Sequence, residues 1–188
     1  MDLDLIIADV SRHSEIYEDL NKLKDKSIKA VFIVNPNNPA SIALNDDCRN
    51  TLKNIVTKYN PNLMIITDDV YCTFVNNFKS VISDLPYNTI GVYSLSKYFG
   101  VTGWRLGAII LNENNIYNKL ICELPETHKD TLNKRYCHLS SNPEELSFMD
   151  RLVADSRQVC FKSYCRSFNT TTSTNGIFLW ICISWFRK

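Results

Sequence analysis

"VYSLSKYFGVTGWRLG", residues 92–107, runs an apolar, strand-like stretch directly into a lysine, then places three glycines before and within the next apolar run. Ser94 and Ser96 precede Lys97, and Arg105 follows it by eight residues. A solvated surface lysine needs no such surroundings. A lysine that must stand at a strand end, with the backbone turning tightly behind it, does need them, because glycine admits backbone conformations that other residues resist.

Working outward, the same pattern recurs. "KAVFIVN" (29–35) is a continuous apolar run halted by "PNNP", and "NLMIITDD" (62–69) is a second. "NTIGVYSLS" (88–96) and "WRLGAIIL" (104–111) read as a third and fourth strand. Continuous rather than alternating apolar strands predict a sheet covered on both faces. Between them lie helical patterns: "IYEDLNKLKD" (16–25), "NDDCRNTLKNIVTKY" (45–59) and "NENNIYNKLICEL" (112–124). In the second, Asn45 is the expected N-cap, acids fill the first turn and Lys58 sits near the end. Strands alternating with helices predict an α/β layered domain with a mostly parallel sheet. In such sheets chemistry collects at strand ends. Asn35, Asp68 and the segment Ser94 to Lys97 each end an apolar run.

Composition narrows the classes. A chain of 188 residues with 45% hydrophobic residues suits one good-sized domain, or one plus a piece of another. A net charge of +1 argues against a general nucleic-acid binder and carries no membrane-surface signal. The seven cysteines (Cys48, Cys72, Cys122, Cys137, Cys160, Cys165, Cys182) are odd in number and lack a C-x-x-C pair. With three histidines they make a poor metal site, and free buried thiols in a reducing compartment are expected. The N-terminus "MDLDLIIADVSRHSE" lacks the basic start and apolar core of a signal peptide. The most apolar run, "GIFLWICISWF" (176–186), is shorter than the ~20 residues a membrane span needs. A cytoplasmic protein, with neither membrane nor nucleic acid as partner, is the expectation.

The polar residues at the strand ends suit one ligand, pyridoxal 5'-phosphate. Its aldehyde needs a lysine to hold it covalently. Its ring nitrogen needs a carboxylate, so that the protonated ring can draw electrons from the substrate carbon. Its ring hydroxyl needs hydrogen-bond donors, and its phosphate needs an arginine, hydroxyls and backbone N–H groups. "NPNNP" (35–39), "DDVY" (68–71) and "SLSKYFGVTGWRLG" (94–107), in that order, resemble three consecutive signatures of the class I/II aminotransferase superfamily, the fold-type I enzymes. The resemblance implies a three-layer large domain and a role for each residue. Lys97 would form the covalent bond to the cofactor and then shuttle protons. Asp68 would bond the ring nitrogen, with Asp69 at a more variable position. Tyr71 and Asn35 would bond the ring hydroxyl and lower the pKa of the lysine–cofactor nitrogen. Ser94 and Arg105 would hold the phosphate, assisted by Ser96. Trp104 is expected to pack in the core.

The string from Leu63 to Gly107, together with "RLVADSRQV" (151–159), is similar to the family of bifunctional aspartate aminotransferases and aspartate 4-decarboxylases. Such enzymes release the β-carboxylate of L-aspartate as carbon dioxide, leave L-alanine, and transaminate as a side reaction. Spacing alone does not separate the two reactions. A generic class I/II aminotransferase and a non-catalytic remnant stay open as alternatives. The resemblance implies an amino-acid substrate, with L-aspartate first, and a homodimer or higher homo-oligomer.

The resemblance stops after Val159. "CFKSYCRSFNTTTSTNGIFLWICISWFRK" (160–188) has no clear amphipathic period. Read through synonymous codons one base out of frame, residues 160–178 yield a string similar to the family's own continuation. The expected organisation is therefore a partial cofactor-binding large domain over 1–159 and a frameshifted, non-native tail over 160–188. Relative to the family, an N-terminal portion and the C-terminal small domain are expected to be missing.

Overall fold

A computed structural model describes residues 20–104, 106–161, 165–172 and 177–184, and beyond residue 155 only the backbone. β1 (Ala30–Val34) leads through the "PNNP" turn to α1 (Asp46–Lys58) and β2 (Met64–Asp68). A short helix, α2 (Val81–Asp84), precedes β3 (Thr89–Ser94), and β4 (Leu106–Asn112) follows. Then come α3 (Ile116–Cys122), α4 (Glu126–Tyr136) and α5 (Phe148–Phe161), and finally β5 (Cys165–Thr172) and β6 (Ile177–Ser184).

The strands form one sheet in the order β1-β2-β3-β4-β6-β5. β1, β2 and β3 are parallel neighbours. β4 runs antiparallel to β3, β6 antiparallel to β4, and β5 antiparallel to β6. Over β1 to β4 the sheet is mixed and mostly parallel, and the four apolar runs read from the sequence all become strands. The last two strands extend its far edge.

Helices cover the sheet on both sides, giving three layers. Successive residues of β2 go to opposite faces, as the pleat requires. Ile65 joins Val31 and Ile33 in a cluster with Leu52, Ile55 and Val56 of α1 and Val81 of α2. Met64 and Ile66 join Ile90 and Val92 in a second cluster with Tyr117 of α3 and Met149 of α5. Cover on this second face does not reach β1. Phe32, in register with Ile66, is 62% exposed. Its strand was expected to be covered on both sides and is covered on one.

Local signals account for the helix bounds. Asn45 caps α1, its side-chain oxygen accepting from the Cys48 N–H at 2.8 Å. α3 is shorter than the 112–124 pattern, because Asn115 caps it and accepts from the Asn118 N–H at 3.2 Å. Of the 16–25 pattern, residues 20–22 are helical, and the part before residue 20 lies outside the described residues. Buried Arg49 ties α1 to α2 through Asp84 at 3.2 Å and also pairs with Asp46.

Several sequence expectations change. Trp104 is 66% exposed rather than packed in the core, since the turn that carries it lies outside both apolar clusters. Of the cysteines described, none of which forms a disulfide with another described cysteine, Cys48 is buried, Cys72 half-buried, and Cys122 and Cys137 exposed, so buried thiols are the minority. The side chains of Cys160, Cys165 and Cys182 lie outside the described residues. Among the described residues no helix is long and apolar enough to cross a membrane, and no cluster of His, Cys, Asp or Glu could hold a metal ion.

Candidate active site at the strand ends

Parallel register brings three strand ends together. Val34 of β1, Asp68 of β2 and Val92 of β3 are partners across the sheet, side by side. Above them opens a pocket of about 400 Å3, within the size range of small-molecule sites. Val34, Val70 and Val92 supply its apolar wall, and Asn38, Asp68, Tyr71, Ser94 and Lys97 its polar one.

Asp68 is half-buried, and its carboxylate accepts the Val70 N–H at 3.1 Å. That bond pins the chain as it leaves β2 and carries Tyr71 round to the pocket. Asp69, the other member of the acidic pair, does not line it. It is 8% exposed and accepts the Thr67 hydroxyl at 2.7 Å. Burial pushes the Asp69 carboxyl above the usual range, against hydrogen bonds from Ser80 and Thr67 that pull it down. The two acids thus occupy different environments: one faces a ligand-sized space, the other braces the wall behind it.

Ser94 ends β3 and lines the pocket, and its hydroxyl accepts the Ser96 N–H at 3.2 Å. Lys97 follows in the turn, exposed to solvent yet on the pocket lining. Two glycines make this connection possible. Gly100 has φ +65°, in the left-handed region. Gly107 faces Ser94 across the antiparallel pair, and a Cβ there would lie 2.9 Å from the Tyr93 carbonyl oxygen. Only a glycine lets β4 return that close to β3.

Four of the expected site residues meet here: Asp68, Tyr71, Ser94 and Lys97. Ser96 contributes its backbone to the turn and does not line the pocket. Asn35 is 1% exposed behind the lining. Its amide oxygen accepts the Leu44 N–H at 2.9 Å, while its amide nitrogen is buried without a partner. Arg105 lies outside the described residues. One polar lining residue escaped the sequence reading: Asn38, whose amide nitrogen lies 3.4 Å from the Tyr71 hydroxyl oxygen. Its signal was the unusual run of asparagines in "NPNNP", but which asparagine faces the pocket depends on the path of the turn. Beside the pocket a series of rings leads outward, with Tyr71–Phe74, Phe74–Tyr98 and Tyr98–Phe99 centroids 6.4, 5.5 and 5.1 Å apart.

The donor set fits pyridoxal phosphate. The apolar valines match a flat ring, the carboxylate a basic ring nitrogen, the phenol a ring hydroxyl and the amine an aldehyde. The orphaned amide nitrogen of Asn35 is a buried donor still lacking an acceptor.

Known proteins match this chain widely. A bifunctional aspartate aminotransferase and L-aspartate beta-decarboxylase from a Pseudomonas species is 47% identical over 141 residues, covering 75% of this chain and 27% of its own length. An aspartate aminotransferase from Sulfolobus acidocaldarius is 34% identical over 100 residues, covering 51% of this chain and 24% of its own length. The chain thus spans about a quarter of the length of these relatives. Among solved structures, an aromatic aminotransferase from Pyrococcus horikoshii OT3 is similar over 48% of this chain and 25% of its own, with 30% identity and a TM-score of 0.42. The family described as "Aminotransferase class I and II" matches residues 13–184, nearly the whole length, and the chain belongs to that family.

Proposed function

We propose that this protein is a pyridoxal 5'-phosphate enzyme acting on L-aspartate. Its reaction is loss of the β-carboxylate to give L-alanine and carbon dioxide, with amino transfer as a second activity. The observation that carries the reading is the convergence of Asp68, Tyr71, Ser94 and Lys97 from two separate chain segments on one pocket. The 47% identity to a bifunctional relative supports the choice of reaction.

When bound, the cofactor supplies an electron sink that stabilises negative charge at the substrate carbons. The rest falls to the chain. Lys97, exposed in its turn, is the amine that holds the cofactor and afterwards moves a proton at the substrate carbon. Asp68, pinned by the Val70 N–H, keeps the ring nitrogen protonated. Tyr71 donates to the ring oxygen. Ser94, together with Arg105, binds the phosphate. Ser96 acts through the turn, and Asn35 supplies its unpaired amide from behind the wall.

The 34% identical aspartate aminotransferase favours a second reading, amino transfer alone. Supplying the purified chain with pyridoxal phosphate and L-aspartate, with and without a 2-oxo acid acceptor, separates the two. Alanine and carbon dioxide without acceptor support decarboxylation. Oxaloacetate formed only with acceptor supports the second reading. Neither product contradicts both.

Two further expectations stand as proposals. A homo-oligomer is supported by the exposed rings of Phe74, Tyr98 and Phe99 beside the pocket, and light scattering tests it. A shifted reading frame over 160–188 rests on the reading of the sequence after Val159, while the class I and II family match runs on to residue 184, and resequencing the gene across that point tests it.

A further inference from the structure

The chain leaves β2 at Asp69 and returns at Ser80, the N-cap of α2, so residues 70–79 form a loop with Tyr71 near its start. Tyr71 is third in a turn closed by the Asp69 carbonyl, which accepts the Cys72 N–H at 2.9 Å. Its φ of −101° and ψ of 5° lie near the type I values for that place. The Asp69 N–H donates to the Val92 carbonyl at 2.8 Å and ties the start of the turn to β3. Its side chain ties the turn to two further elements. The buried carboxyl accepts the Thr67 hydroxyl of β2 at 2.7 Å and is also hydrogen-bonded by Ser80. The Ser80 oxygen takes the Ile82 N–H at 3.2 Å, which leaves its O–H free to donate. We infer that Asp69 is a positioning residue: its carboxyl joins β2 to the head of α2, closes the base of the 70–79 loop, and so fixes the direction in which Tyr71 meets the pocket.

A loop whose ends are not joined samples many end-to-end geometries. The turn that carries Tyr71 moves with its first residue, and that residue is Asp69. Asp69 does not line the pocket, so its effect on a ligand passes through Tyr71. This inference rests on the proposed cofactor reading and adds to it a residue behind the wall. Asparagine at this place keeps the clasp, since its amide oxygen accepts from Thr67 and its amide nitrogen donates to Ser80. Alanine keeps neither bond. Both replacements remove the carboxyl, so the difference between them isolates the hydrogen bonds from the charge.

The test is a spectroscopic pH titration of the full chain loaded with pyridoxal phosphate, following the visible band with no substrate present. Tyr71→Phe sets the scale, because losing a donor to the ring oxygen raises the midpoint. Asp69→Ala is expected to raise it by roughly half a pH unit, and Asp69→Asn to stay near the parent. Loss of a negative charge alone would lower the midpoint, so a rise reports the lost bonds. Asp69→Ala added to Tyr71→Phe should change nothing more. Thr67→Val removes one donor with little change of shape, should shift the midpoint the same way by less, and serves where Asp69→Ala does not fold. A midpoint unmoved by Asp69→Ala and Thr67→Val while Tyr71→Phe shifts it overturns the inference and leaves the cofactor reading intact. Equal midpoints for Asp69→Ala and Asp69→Asn, or an equal shift with and without Tyr71→Phe, also overturn it. If the parent chain shows no Lys97-dependent band, the cofactor reading fails and this inference falls with it.

Discussion

On one face of β2, Ile65 is fully buried in a cluster with Leu52 and Ile55 of α1. On the other face Met64 and Ile66 are half-buried, Asp68 opens into a pocket, and the neighbouring Phe32 stands in solvent. The same five-residue strand therefore serves two purposes. The fully covered face supplies most of the apolar burial around β2, and the other, covered by α3 and α5 only in part, leaves its strand ends open for a ligand. A site of this kind requires incomplete cover, because a pocket is space that no helix has filled. The difference teaches where this fold tolerates change: truncation should be costly wherever either face is packed under a helix and nearly silent where the second face is left uncovered, as at Phe32.

The largest structural effect is expected at the closed face. Leu52→Ala, at a site 1% exposed, should destabilise the chain by about 3 kcal/mol through lost burial and a residual cavity. Denaturant unfolding measures it. A loss below about 1 kcal/mol would break the comparison, since a well-packed core cannot absorb that cavity so cheaply. Asn45→Ala comes next. Removing the cap that bonds the Cys48 N–H should cost about 1 kcal/mol in the same assay.

Asp69 sharpens the comparison through pH. Its folded carboxyl titrates above the unfolded value, chiefly because burial penalises the charge. The folded state then holds its proton where the unfolded state has lost it. Stability contributed by this group is fully present below the unfolded pKa and falls as pH rises through the folded one. Melting temperatures of the parent chain and Asp69→Asn, measured from acid to neutral pH, should diverge in slope across that window. Parallel curves would contradict the burial of this charge. The smallest effect belongs to Phe32→Ala. At 62% exposure it should stay within about 0.5 kcal/mol of the parent. A loss matching Leu52→Ala would show that something covers this face.

How far these features were legible in the sequence depended on their physics. The four strands showed as apolar runs because burial of one or both faces demands such residues, and α1 showed through its Asn45 cap. α4, "ETHKDTLNKRY" (126–136), escaped because it is polar nearly all round and offers no periodic stripe. Phe32 looked like core because an apolar residue in a strand carries no mark of what lies above it. At the site, Asp68, Ser94 and Lys97 were legible as the polar ends of apolar runs, and Tyr71 through the resemblance of "DDVY" to a family signature. Asn38 was not, because three similar side chains in one turn differ only in the direction the backbone gives them. The need for glycine at position 107 likewise became visible only when the Tyr93 carbonyl oxygen of β3 was seen to lie 2.9 Å from the place its Cβ would occupy.

The most direct test of the central claim is whether Lys97 holds pyridoxal phosphate in the pocket at the strand ends. Absorbance of the purified chain with added cofactor would be recorded for the parent, Lys97→Ala and Lys53→Ala, the last replacing an exposed lysine of α1. A visible band in the parent and in Lys53→Ala, discharged by borohydride and missing in Lys97→Ala, is the predicted result. A band that persists without Lys97, or no band in any of the three, would contradict the assignment.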